Sequence, residues 1–278
     1  MHAKQLQIIS VTIIFFVVIW LVTGLIVELN PLLIWAVSVV LILALLIYIG
    51  LGAEDKPHWY GVLVDKDRNR ISLSRLQITL WTIIIISAYM TIALIRSMPN
   101  ALNHISQICA QNITEGCTPQ PLNINFPNEV WIVLGISTIS YAGSSLIKTN
   151  KRNQFWSNIK KEDLNKPVLY HPQEAKFSDI FSGDDEGNKK SIDLSKVQMF
   201  FFTMALIFAY MVAIGTLMMN EELLRSPIGF EFPAFSSSMT TILAISHAGY
   251  LIVKVPNQKI QGYANQKTHF TVTAPNLE

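Results

Sequence analysis

The chain has 278 residues, of which 51% are hydrophobic and only 14% are charged, whereas soluble domains carry about a quarter charged residues. The apolar residues form long runs and the charges fall between them, which excludes an ordinary soluble domain and indicates a membrane protein. A net charge of +2, with no basic block interleaved with aromatic residues, argues against a nucleic-acid partner.

Six apolar stretches are long enough to cross a lipid bilayer. A helix needs about 20 apolar residues to span a hydrocarbon core of about 30 Å. The stretches are 8–27, 31–51, 76–95, 130–147, 197–219 and 236–253, and none contains Asp, Glu, Lys or Arg. The first is longer than the apolar core of a signal peptide and lacks a cleavage site, so it is predicted to remain as an anchor. The predicted fold is therefore an all-α integral membrane protein with six transmembrane helices.

The connecting segments give this predicted topology a direction. With the N-terminus in the cytoplasm, 19 of the 21 Lys and Arg residues lie on the cytoplasmic side and only Arg96 and Arg225 lie outside. Because positive residues are retained in the cytoplasm, both termini are predicted to be cytoplasmic. Cys109 and Cys117 then fall in an outer loop, where an oxidising environment permits a disulfide; two unpaired thiols are the alternative.

A comparison of the chain with itself indicates two similar hairpins. Residues 73–77, Leu-Ser-Arg-Leu-Gln, align with residues 194–198, Leu-Ser-Lys-Val-Gln, and a Ser-x-Ala-Gly pattern recurs later in each hairpin. Both copies run from inside to outside and back, so they form a parallel repeat. The predicted organisation is an N-terminal transmembrane hairpin (1–55), hairpin repeat 1 (56–148), a cytoplasmic loop (149–192), hairpin repeat 2 (193–254) and a cytoplasmic tail (255–278).

The residues at the start of each repeat have predicted structural roles. Ser74 and Ser195 are expected to be N-caps, and Arg75 and Lys196 to extend towards lipid headgroups. Gln77 and Gln198 are the first polar side chains inside the membrane edge. We expect each to hydrogen-bond to a neighbouring helix.

The later part of each repeat is rich in small and polar residues. Ser140, Gly143, Ser246 and Gly249 favour close approach of helices, and the alternative is a polar stripe that lines a conduction path. His247 is the one ionisable residue within a predicted span. We expect it to be a neutral hydrogen-bonding group at a helix interface, with proton transfer as the alternative.

These motifs resemble those of a set of uncharacterised bacterial multi-pass membrane proteins. The resemblance rests on residues 70–77 followed by Trp81-Thr82, on residues 193–203, and on residues 245–251, and it covers about residues 60–255. It implies a bacterial envelope protein, here in the inner (cell) membrane, and it supplies no activity or catalytic residues.

No catalytic or cofactor-binding pattern is present in the sequence. It lacks a P-loop, His-Glu-x-x-His, Cys-x-x-Cys and Gly-x-Ser-x-Gly, and its six histidines have no metal-ligand spacing. An enzyme, a metal site and a bound cofactor are therefore not expected. Besides the lipid bilayer, the expected partner is a cytosolic protein held on a membrane scaffold, or further copies of the chain. The alternative function is a channel or pore-forming membrane protein, made by one chain or by an oligomer.

Overall fold

The computed structural model describes residues 30–52, 58–65, 69–98, 120–158, 175–183, 191–224 and 229–254, together with Ile14, Val18, Leu102, Asn103, Ser106 and Gln107. The described chain is mostly helical. Its helices are α1 (Pro31–Gly52), α2 (Leu73–Ser97), α3 (Asn128–Asn158), α4 (Leu194–Met218), the one-turn α5 (Glu221–Leu224) and α6 (Ser237–Lys254). Its short strands are β1 (Val64–Asp65), β2 (Arg70–Ile71), β3 (Ile124–Asn125) and β4 (Phe230–Glu231), with 3-10 turns at Gly61–Leu63 and Phe177–Ile180.

Four helices in the described residues are long and apolar enough to cross a membrane. They are α1, α2, the first part of α3 (Asn128–Ile147) and α4, which match predicted spans two to five. The predicted first span, 8–27, lies outside the described residues except for Ile14 and Val18, which are helical. The predicted sixth span coincides with α6, but hydroxyl residues, His247 and Lys254 make α6 less apolar than the other four.

The surfaces of these helices are suited to lipid. Large apolar side chains are exposed along them, among them Val40 on α1, Ile139 on α3 and Phe208 and Val212 on α4. A protein in water rarely exposes so many large apolar groups in rows, because their hydration is unfavourable. The exposed apolar rows therefore agree with a membrane protein.

The start of α4 differs from the sequence prediction. The helix begins at Leu194, so Ser195 lies in its first turn and is not the N-cap. The carboxylate of Asp193 takes that role, because its Oδ1 accepts from the backbone N–H groups of Ser195 and Lys196 and from the Ser195 hydroxyl. Likewise α2 begins at Leu73, which places Ser74 inside the helix.

The described contacts divide the chain into two compact units. The first unit comprises Met1–Val62, Thr79–Leu134 and Met204–Thr240. Its core contains the ring of Trp81, which meets the rings of Tyr210 and Phe235 at centroid distances of 6.0 and 5.8 Å. Strands β3 and β4 pair in parallel in this unit, and the ring of Phe126 stacks on that of Phe232 at 4.3 Å.

Within the first unit, side-chain hydrogen bonds connect helix α1 to helix α2. The indole N–H of Trp35 donates to the Ser87 hydroxyl at 3.0 Å, and the Thr91 hydroxyl donates to that of Ser38 at 3.2 Å. A Cβ added at Gly215 would lie 3.7 Å from the Trp35 ring, so the indole packs directly over Gly215. These hydrogen bonds fix α1 against α2.

The second unit comprises Leu63–Ile78, Gly135–Thr203 and Thr241–Glu278. Strands β1 and β2 form an antiparallel hairpin in which Val64 pairs with Ile71 and Asp65 with Arg70. Asn69 has a φ of 48°, a left-handed conformation that Asn adopts more readily than most residues in a tight turn. Beside this hairpin lies the segment 175–183, which includes the second 3-10 turn.

Candidate functional site

Arg70 anchors the segment 175–183 in the second unit. Its side chain is only 4% exposed. Nη1 donates to the carbonyl of Gly183 at 2.7 Å, and Nη2 donates to the Ser182 hydroxyl and lies 3.8 Å from Oδ1 of Asp179. Because an arginine presents its donors in a rigid planar fork, this arrangement fixes the segment in both position and orientation.

A second cation holds the same segment from the start of α4. The Lys196 ammonium donates to the carbonyl of Ser182 at 2.7 Å, and the backbone N–H of Asp193 donates to the carbonyl of Phe181 at 2.8 Å. Lys196 is therefore buried against protein. This differs from the prediction that its side chain extends towards lipid headgroups. We refer to β1, β2 and residues 175–183, held by Arg70 and Lys196, as the platform.

A buried polar face lies elsewhere in the second unit, on α3 and α6. Its residues recur every three or four positions, so they share one side of each helix. They are Ser137, Ser140 and Ser144 on α3, and Ser246, His247, Tyr250 and Lys254 on α6, and all are buried. This set includes three of the predicted site residues, Ser140, Ser246 and His247, and we call it the polar face.

One end of the polar face is hydrogen-bonded. The Lys254 ammonium donates to the Ser144 hydroxyl at 2.8 Å and also to the Tyr250 hydroxyl, and the Ser144 and Tyr250 oxygens are 3.5 Å apart. These bonds join α3 to α6. They also satisfy a buried ammonium, which would otherwise be strongly unfavourable.

The other polar side chains of this face are without such bonds. Within the described structure, the hydroxyls of Ser137, Ser140 and Ser246 and both ring nitrogens of His247 have no hydrogen-bond partner. His247 is 2% exposed. The polar face therefore combines a satisfied end at Lys254 with an unsatisfied part around His247.

The two repeated glutamines occupy different environments. Gln77 is buried, and its Nε2 donates to the Thr203 hydroxyl at 2.7 Å and to the carbonyl of Met199 at 3.5 Å, both on α4. Gln198 is exposed. Of the two, only Gln77 bonds to a neighbouring helix within the part of the chain that the structure describes.

This difference predicts unequal effects for matched substitutions. We expect Gln77→Leu to lower the free energy of unfolding by about 0.6 kcal/mol, the average for an interhelical hydrogen bond in a membrane protein. Gln198→Leu removes no such bond and should leave stability unchanged. Unfolding of the full chain in mixed detergent micelles measures both; equal losses would contradict the assignment.

The two repeated glycines also differ. A Cβ added at Gly143 would meet both terminal methyl carbons of Leu251 at 3.4 Å, so this side chain of α6 packs against α3 there. A Cβ at Gly249 would have nothing within 4 Å. The contact between α3 and α6 at Gly143 therefore has no counterpart at Gly249, which faces open space.

A second matched pair follows from these glycines. We expect Gly143→Val to destabilise the chain by about 1–2 kcal/mol, because its methyl groups would displace Leu251 in a close contact. Gly249→Val should have little effect. Thermal unfolding of the two variants in the same detergent checks this, and a larger loss for Gly249→Val would refute it.

The sequence did not predict the contacts that two further basic residues, Arg96 and Arg75, make in the structure. Arg96, at the end of α2 in the first unit, is fully buried and donates to three backbone carbonyls: Gln120 at 3.3 Å, Pro121 at 2.9 Å and Leu224 at 3.0 Å. Arg75 lies 5.7 Å from the centroid of the Tyr141 ring, a cation–π contact within the second unit. The predicted disulfide pair, Cys109 and Cys117, lies outside the described residues.

The buried polar groups described so far are hydroxyl, amide, imidazole and basic side chains. Among the described residues, no three His, Cys, Asp or Glu side chains are placed to hold a metal ion together. Comparison with known protein families, curated proteins and solved structures finds no match. The platform and the polar face are therefore the two candidate functional features of the described residues.

Proposed function

We propose that the chain is a multi-pass membrane scaffold that docks a cytosolic protein on the platform. In this proposal the chain crosses the inner membrane six times, with both termini and the platform in the cytoplasm, and residues 56–148 and 193–254 are two copies of one hairpin. The excess of Lys and Arg in the connecting segments supports this orientation.

The observation that carries the proposal is the fixation of the platform by Arg70. Burying a guanidinium is costly, and here it is offset by bonds to a segment more than 100 residues away in the sequence. The result is a defined surface outside the apolar helices, on which Phe177 is 57% exposed. A rigid surface with an exposed aromatic side chain is the kind of feature that anchors protein interfaces.

Partner recovery tests the docking function. The full chain is purified from its native membranes in mild detergent, together with the cytosolic proteins bound to it. We expect Arg70→Met to release those proteins, because the platform loses its main support. Arg75→Met removes an arginine from α2, outside the platform, and should retain them. Equal recovery with both variants would contradict the docking function.

A channel is the second candidate function, and the polar face is the observation that favours it. However, Ser140 and Ser246 are only 1% and 5% exposed, so in this structure they do not line an open path. We expect Ser140→Cys and Ser246→Cys chains in liposomes to be protected from water-soluble thiol reagents. Rapid modification at both positions, with ion currents across the same liposomes, would favour the channel over the scaffold.

A further inference from the structure

His247 belongs to a group of buried polar residues on α3 and α6 that the docking function does not use. Tyr250 lies one helical turn from it on α6, and Ser140 lies one turn from Ser144 on α3. Ser144 and Tyr250 are the pair whose oxygens are 3.5 Å apart. The side chains around His247 therefore continue the polar face beyond its hydrogen-bonded end.

Hydrogen-bond requirements make this part of the polar face unusual. A neutral imidazole has one donor and one acceptor nitrogen, and each serine hydroxyl can both donate and accept. In the described structure, both nitrogens of His247 and the hydroxyls of Ser137, Ser140 and Ser246 have no partner. Since buried polar groups in native proteins are satisfied by protein or by ordered water, these atoms need an additional partner.

The composition of the site indicates which partner fits. Neither α6 nor the segment Gly135–Asn158 of α3 contains Asp or Glu, so these two helices contribute no carboxylate to hold a cation. The orphaned groups are uncharged and require a molecule that donates and accepts in several directions. Water does so in the smallest volume, because one molecule makes two to four hydrogen bonds to surrounding polar groups.

We propose that the polar face around His247 is an internal water-binding site. Water molecules bridge the imidazole to the hydroxyls of Ser140 and Ser246, and the Lys254–Tyr250–Ser144 bonds close one end of the site. His247 thereby exchanges protons with water although its side chain is buried. The site is a hydrated pocket without an open path, so it holds whether or not the platform docks a partner.

Water-edited solid-state NMR of the full chain in lipid bilayers tests this proposal. The chain carries ¹⁵N in its histidine and tryptophan side chains, and the His247 signals are identified by their loss in His247→Phe. We expect polarisation to pass from water to the His247 ring. The indole N–H of Trp81 is the control, because it is equally buried but lies beside the aromatic rings of Tyr210 and Phe235, whose faces can accept an N–H in place of water.

The comparison of these two signals decides the outcome. Transfer to His247 several-fold faster than to Trp81 supports the water site. Absence of transfer to His247, or equal transfer to both side chains, overturns it. Thermal unfolding gives a second readout, because His247→Phe should lower the midpoint if bound water satisfies the imidazole and should raise it or leave it unchanged if the site is dry.

Discussion

Replacing Arg96 by methionine should destabilise the protein more than any other single substitution considered for this chain. The variant keeps an apolar side chain of similar length and removes all the donors to the carbonyls of Gln120, Pro121 and Leu224. Because hydrogen bonds from a charged group are stronger than neutral ones, we expect a loss of about 4 kcal/mol. This corresponds to a fall in the unfolding midpoint of roughly 10 °C.

The measurement is thermal unfolding of the full chain in detergent, followed by tryptophan fluorescence. Arg75→Met is the matched control on the same helix, because the described contact of Arg75 is the ring of Tyr141. An exposed cation–π contact contributes about 0.5–1 kcal/mol, so the control should shift the midpoint far less. Equal shifts for the two variants would show that the three carbonyl contacts of Arg96 do not stabilise the fold.

Replacing Arg70 by methionine should loosen the platform while leaving the helices folded. The variant loses the bonds to Gly183 and Ser182 and the ion pair with Asp179. We expect the segment 175–183 to open more easily by about 2 kcal/mol, which is about a thirtyfold rise in local opening. The backbone N–H groups of Gly183 and Asp193, which donate to Ser191 and Phe181, report this opening directly.

Hydrogen–deuterium exchange of the full chain in detergent measures that change. Exchange at Gly183 and Asp193 should accelerate, whereas the amides of α2 and α4 should keep their protection. For this structural measurement Lys176→Met is the control, since the Lys176 backbone N–H, which the variant keeps, bonds to Asp179 and its side chain is exposed. Unchanged exchange at Gly183 in the Arg70 variant would contradict the role given to Arg70.

Hydropathy located the central helices well and their ends poorly. Predicted spans 76–95 and 197–219 are the helices Leu73–Ser97 and Leu194–Met218. The predicted spans stop short of Arg75, Arg96 and Lys196 because a search for apolar runs treats a charge as a boundary. In the folded chain Arg96 and Lys196 are buried within the terminal turns, since backbone carbonyls satisfy their donors.

The candidate site was less predictable for a different physical reason. The sequence gives Gln77 and Gln198 the same local pattern, and likewise Gly143 and Gly249, but the side chain of each is surrounded by different neighbours. Gln77 and Gly143 meet Thr203 and Leu251, which are distant in sequence. Local pattern cannot indicate which of two similar surfaces is covered. The acceptors of Arg70, and the Leu224 carbonyl that accepts from Arg96, likewise lie more than 100 residues away along the chain.

The parallel pairing of β3 with β4 has a consequence for biosynthesis. Ile124 and Asn125 leave the ribosome long before their partners Phe230 and Glu231, and the carbonyl of Leu224 that accepts from Arg96 is also made late. During translation the earlier strand therefore has an open edge, which invites incorrect pairing, although its two-residue length limits that danger. A nascent chain that stalls before residue 224 lacks both the Leu224 carbonyl and strand β4, so it cannot complete this assembly. We expect membrane quality control to degrade such a truncated chain.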